Sequence, residues 1–125
     1  MLYKRDEAFR FQFKKPIQGQ FKIVSINGKS QTEAKMGTAN ILDISPNGLK
    51  FSTKLDLPIE SNKFLLEVSF VLNERMLEIL GVPIWKKGSS PLISYGLRGM
   101  DDHETRVEII EELKEFSKRS LRSIK

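Results

Sequence analysis

Apolar and polar positions alternate from the start of the chain. Phe9, Phe11 and Phe13 alternate with Arg10, Gln12 and Lys14, which puts three rings on one face of a strand and polar side chains on the other. Arg10, on that polar face, is expected to contribute little to stability. Pro16 and Gly19 are expected to interrupt the strand, which resumes through Phe21, Ile23 and Ile26. Asn27-Gly28 is a hairpin turn signal, and Thr32 to Ile44 reads as the return strand. Pro46-Asn47-Gly48 is a tight turn in which Gly48 is free to take φ > 0. Leu49, Phe51 and Thr53 begin the next strand. Leu55 to Asn62, with Pro58, is a loop, and Phe64 to Leu72 is a strongly apolar strand. Asn73-Glu74 turns it back into Met76 to Lys86, where Pro83 marks an edge strand or a bulge. Gly88 to Pro91 is a loop, and Leu92 to Met100 is the last strand.

The period then changes from two to that of a helix. Asp101 followed by Glu104 has the form of a capping box. Val107, Ile110, Leu113, Phe116, Leu121 and Ile124 follow helical spacing and are expected to form the buried stripe. Regular strands with turn signals and no helix between them predict a closed barrel, because closure removes exposed edges. The expectation is therefore a mainly β chain: a six-stranded antiparallel β-barrel with a C-terminal α-helix that covers an opening or a side. One domain spans 1–125, with a flexible arginine-bearing arm over 1–8, the barrel over 9–100 and the helix over 101–125. Phe11, Phe13, Phe64, Val68 and Phe70 are expected in its core, and Trp85, a lone tryptophan in an apolar strand, is expected there too.

Composition narrows the chemistry. Lysine and arginine number 21 against 16 aspartates and glutamates, a formal charge of +5 with a pI near 9.5, which favours anionic partners. The excess crowds the two ends, where solvated, solubilising tails are the alternative. Cysteine is absent, which removes disulfides, thiolate metal sites and cysteine nucleophiles. With one histidine, His103, a two-histidine metal site is excluded and no acid–base cluster emerges at useful spacing, so no enzyme activity and no cofactor or metal is expected. His103 receives no role. No apolar run approaches the ~18 residues of a spanning helix, and the N-terminus lacks the apolar core of a signal peptide, from which a cytoplasmic location is expected.

One stretch carries candidate chemistry: Asp43-Ile44-Ser45-Pro46-Asn47-Gly48. At a strand end, alternation puts Asp43 and Ser45 on one face. A carboxylate accepts two N–H bonds and a hydroxyl both donates and accepts, which suits the N1–H and N2–H edge of a guanine. The competing reading is an Asx or Ser/Thr turn that closes a hairpin.

Asp43-x-Ser45-x-x-Gly48 resembles the second signature of PilZ domains, [D/N]-x-S-x-x-G, found in bacterial receptors for cyclic di-GMP. Gly81-Val82-Pro83-Ile84-Trp85-Lys86 is similar to the strand that usually reads G-x-V-x-W in that family. Tyr95-Gly96-Leu97-Arg98-Gly99-Met100 is similar to its closing strand, and a C-terminal helix follows, so the resemblance covers nearly the whole chain. The family's first signature is R-x-x-x-R. Arg10 matches its second arginine; Arg5 stands five residues before Arg10 rather than four, and Asp6 occupies the expected position. The resemblance implies a non-catalytic cyclic di-GMP receptor that relays its signal to an unidentified downstream protein by a change of surface. Arg5 and Arg10 would hold phosphate and stack on guanine, Asp43 and Ser45 would read a guanine edge, and Gly48 would shape the turn. Arginine suits that double duty because its guanidinium binds phosphate bidentately and stacks on rings. Arg98 faces either the ligand or solvent. Two other readings stay open. One is a degenerate PilZ-like scaffold that binds a protein without nucleotide, which the longer arginine spacing favours. The other is an OB-like nucleic-acid-binding barrel with the phenylalanines of the first strand as stacking platforms; nucleic acid is not the expected partner, because no specific motif supports it.

Overall fold

The computed structural model describes residues 10–31, 35–100 and 103–123. Among these residues seven strands and one helix follow one another: β1 (Phe11–Ile26), β2 (Lys29–Ser30), β3 (Met36–Ser45), β4 (Gly48–Thr53), β5 (Phe64–Leu72), β6 (Arg75–Ser89), β7 (Leu92–Gly99) and α1 (His103–Ser123). Six of the strands run β1-β3-β4-β7-β6-β5, and β5 pairs back onto β1. Every pairing is antiparallel. The fold is therefore the expected closed six-stranded barrel with a C-terminal helix. The two-residue β2 only extends the hairpin at the end of β1, where Asn27 (φ 52°) and Gly28 (φ 82°) supply the two left-handed residues that a two-residue turn needs.

Closure follows from apolar alternation. In β5, Phe64, Leu66, Val68, Phe70 and Leu72 point inward and are buried. Phe21, Phe51 and Tyr95 fill the centre, with Phe51 and Tyr95 stacked at 5.3 Å. Each such side chain contributes roughly 1.5–3 kcal/mol when taken out of water. The Tyr95 hydroxyl accepts from the Leu57 N–H at 2.7 Å and donates to the Leu55 carbonyl at 2.6 Å. Burial pushes that phenol's pKa up. Lys86 holds the same loop from outside, through Asp56 (2.7 Å), the Leu57 carbonyl (2.9 Å) and Glu60 (3.0 Å). The hydrogen bond to Asp56 raises the ammonium's pKa most. The loop 55–62 therefore covers the part of β6 that β5 no longer pairs.

Several details differ from the sequence expectation. Strand β6 runs on to Ser89, so the loop expected over Gly88 to Pro91 shrinks to Ser90 and Pro91. Strand β1 is continuous: Pro16 and Gly19 do not break it. Its register against β3 slips between Gln12 and Ile17, and the proline sits in that irregular segment, where no ladder N–H is required. The helix is also rotated. Ile109 and Leu113 are buried and Phe116 packs on the core, a set at i, i+4 and i+7, whereas Val107 is exposed. At about 100° per residue, Val107 lies ~200° around the helix from Ile109, so the two cannot share the buried face. Phe116 meets Phe11 (5.6 Å) and Phe13 (5.4 Å) edge-on, so the start of β1 and the middle of α1 form one aromatic cluster. The turn between β5 and β6 docks the helix as well. Asn73 donates to the Glu112 carbonyl at 2.8 Å, and Arg75 pairs with Glu108 and Glu112. Phe9, Asp101 and Ile124 lie outside the described residues.

Candidate functional site

Strand register builds the site. Gln12 of β1 pairs with Asp43 of β3, Asp43 with Lys50 of β4, Lys50 with Gly96 of β7, and Gly96 with Trp85 of β6. Five strands thus contribute one residue each to a single row across the barrel. Two irregularities set its phase. One falls between Ile41 and Asp43, the other between Pro83 and Trp85.

The second irregularity overturns the expectation for Trp85. Leu77, Ile79, Gly81 and Pro83 point inward, so simple alternation would send residue 85 inward too. The extra residue, Ile84, shifts the phase, and Trp85 is 41% exposed. Its indole rests on the Gly96 backbone: a Cβ on Gly96 would fall 2.1 Å from the indole Nε1. Glycine at 96 is what lets the ring lie against the sheet.

Asp43 is 2% exposed and faces two cations. The Arg10 guanidinium donates to its Oδ1 at 2.5 Å, and the Lys50 ammonium stands 3.5 Å from its Oδ2. A buried carboxylate requires such partners, because an unpaired charge away from water is strongly unfavourable. Both cations remain partly in solvent, with side chains 46% and 36% exposed. Arg10, Asp43, Lys50, Ile84, Trp85 and Gly96 line an open cleft of about 270 Å³.

The remaining candidates divide. Ser45 is buried and does not line this cleft; its hydroxyl donates to the Gly48 carbonyl and accepts from the Asn47 N–H, both at 3.4 Å. It closes the hairpin, as the turn reading of the motif expects. Gly48 does not take φ > 0. Its lack of a side chain serves another purpose: a Cβ there would lie 2.0 Å from the Leu97 carbonyl oxygen on β7. The glycine of the motif allows a close approach of two strands, not a special turn conformation. Arg98 is exposed on β7, opposite Gly48. Arg5 lies outside the described residues. Nothing local in the sequence distinguishes Lys50 from a solvated lysine; only the register places it beside Asp43.

The cleft offers a carboxylate for N–H donors, two cations for an anion and an indole face for a flat ring. Among the described residues no cluster of three or more potential metal ligands forms, and no helix is long and apolar enough to cross a membrane. Phe11 and Phe13, the stacking candidates of the OB-like reading, are turned against Phe116 instead. No family model, curated protein or solved structure matches the chain.

Proposed function

We propose that the protein is a non-catalytic receptor for cyclic di-GMP, acting in the cytoplasm and relaying the signal to a protein partner through a change of surface. The observation that carries this reading is the meeting of Arg10 and Asp43. They are 33 residues apart in sequence, each matches a different signature of the resembled family, and they sit 2.5 Å apart in a cleft walled by an exposed tryptophan. Asp43 accepts the N1–H and N2–H of a guanine, Arg10 holds a phosphate, and the indole of Trp85 takes the face of a base. Ser45 and Gly48 support the site from behind, by fixing the hairpin and its approach to β7. Arg5 is assigned to phosphate with Arg10. The cleft is slightly smaller than the ~300–1,000 Å³ usual for small-molecule sites. It therefore takes part of a dinucleotide, and the remainder rests on residues outside it.

Calorimetric titration with cyclic di-GMP tests the proposal, with GTP and a short oligonucleotide as controls. Uptake of cyclic di-GMP with micromolar affinity, about −8 kcal/mol, is expected, with weaker binding of both controls. No heat near 1 mM ligand, about −4 kcal/mol, would favour the scaffold that binds protein alone. Tighter binding of the oligonucleotide with steep salt dependence would instead favour a nucleic-acid partner.

A further inference from the structure

We propose that Lys50 is a phosphate-binding cation of the cleft beside Arg10, in addition to the Arg5 assigned above, and that it supplies charge which Asp6 cannot supply at the position where the resembled signature has its first arginine. The inference rests on the receptor reading above and adds a residue that neither signature contains.

Three observations carry it. First, Lys50 sits between the other two contact points. It is the cross-strand neighbour of Asp43 on one side and of Gly96, beneath the indole, on the other. Neighbouring strands lie ~4.8 Å apart, so the backbones at Asp43 and Trp85 are separated by roughly 14 Å. A ligand that gives a guanine edge to Asp43 and covers the indole must cross Lys50. Second, the ammonium is only loosely engaged. At 3.5 Å from Asp43 Oδ2 it makes a long ion pair, whereas Arg10 donates to the other oxygen at 2.5 Å. Lysine has three donors, and its side chain here is 36% exposed, so the charge is free to turn toward an anion above the row. Third, the charge fits. Arg10 and Lys50 against Asp43 leave the described cleft with a net charge of +1. Without Lys50 the Arg10–Asp43 pair alone is neutral and presents no net attraction to a dianionic dinucleotide.

Asp43 then acts as a holder. In the free protein its two oxygens keep one cation each. When a guanine edge takes lone pairs on both oxygens, the cations stay beside the carboxylate and turn their unused donors to phosphate.

The test is titration of the full chain with cyclic di-GMP at low and high salt, for the parent, Lys50→Met and Lys50→Arg. Lys50→Met is expected to bind about tenfold more weakly, the loss of one charge-assisted contact, and to lose part of the salt dependence. Lys50→Arg is expected to bind like the parent. A purely structural lysine would change affinity without changing the salt dependence. Equal binding by Lys50→Met, or weaker binding with the parent's salt dependence, overturns the proposal. If the parent takes up no cyclic di-GMP, the receptor reading falls, and inorganic pyrophosphate decides the role of Lys50 by nuclear magnetic resonance. Shifts centred on Lys50 and Arg10 support an anion-binding cation there, and their absence overturns it.

Discussion

Gly48→Ala is expected to destabilise the fold by about 3 kcal/mol or more, at the upper end of what overpacking costs. The added Cβ would sit 2.0 Å from the Leu97 carbonyl oxygen, the shortest backbone contact that a methyl would make at any glycine of the chain. No rotamer change relieves it, because both sides are backbone. The β4–β7 ladder must open instead, from Gly48↔Arg98 through Leu49↔Leu97. Leu49 and Leu97 are both buried, so separating the strands there also loosens the core. For a domain of this size 1 kcal/mol moves the melting temperature by roughly 4 °C, so a fall of about 12 °C is expected by calorimetry or circular dichroism. Melting within ~2 °C of the parent would show that the strands can part at little cost.

Arg10→Ala is expected to lower stability by about 1–3 kcal/mol and to weaken cyclic di-GMP binding at least tenfold. A half-exposed arginine on a polar strand face should be nearly neutral to the fold, as the alternation suggests. Its partner changes that result. Asp43 is 2% exposed, and without Arg10 it keeps only the looser Lys50 contact. A buried carboxylate stripped of its hydrogen bond loses more than the bond itself was worth. Asp43→Ala on the Arg10→Ala background should return part of the lost stability, since it removes the stranded charge. Thermal melts of the two single variants and the double variant measure this directly. A fully additive cycle would mean that the two groups do not depend on one another.

Much of the architecture was legible because it depends on local alternation and turn chemistry. Phe64 to Leu72 matches β5 residue for residue, and Asn27-Gly28 and Asn73-Glu74 turn where expected, with Asn73 and Glu74 both at positive φ. What was not legible depends on pairing partners. Trp85 reads as core until one extra residue in β6 reverses its direction, and that extra residue is defined only against β7. The helix offers Val107, Ile109, Ile110, Leu113 and Phe116 for burial, and which of them turn inward is set by how the helix docks on the barrel, with Phe116 against Phe11 and Phe13. At the site, the two resembled signatures point to Asp43, Ser45 and Gly48 on one hand and Arg10 on the other, one residue at a time. That Asp43 and Arg10 form an ion pair while Ser45 closes its own hairpin is a property of the folded barrel. Lys50 gives no local signal at all, since its role depends on three strand pairings.

Trp85 is the one tryptophan of the chain and forms part of the cleft, so its fluorescence reports on the proposed site alone. Titrating cyclic di-GMP into the protein while following tryptophan emission tests ligand and location together. A saturable change in emission is expected, because a guanine stacking on the indole alters its environment, and it should vanish or shift to much higher ligand concentration in Arg10→Ala. Emission that stays constant up to ~1 mM ligand, the range of a −4 kcal/mol interaction, or that changes equally in Arg10→Ala, would contradict a cyclic di-GMP site in the row from Asp43 to Trp85.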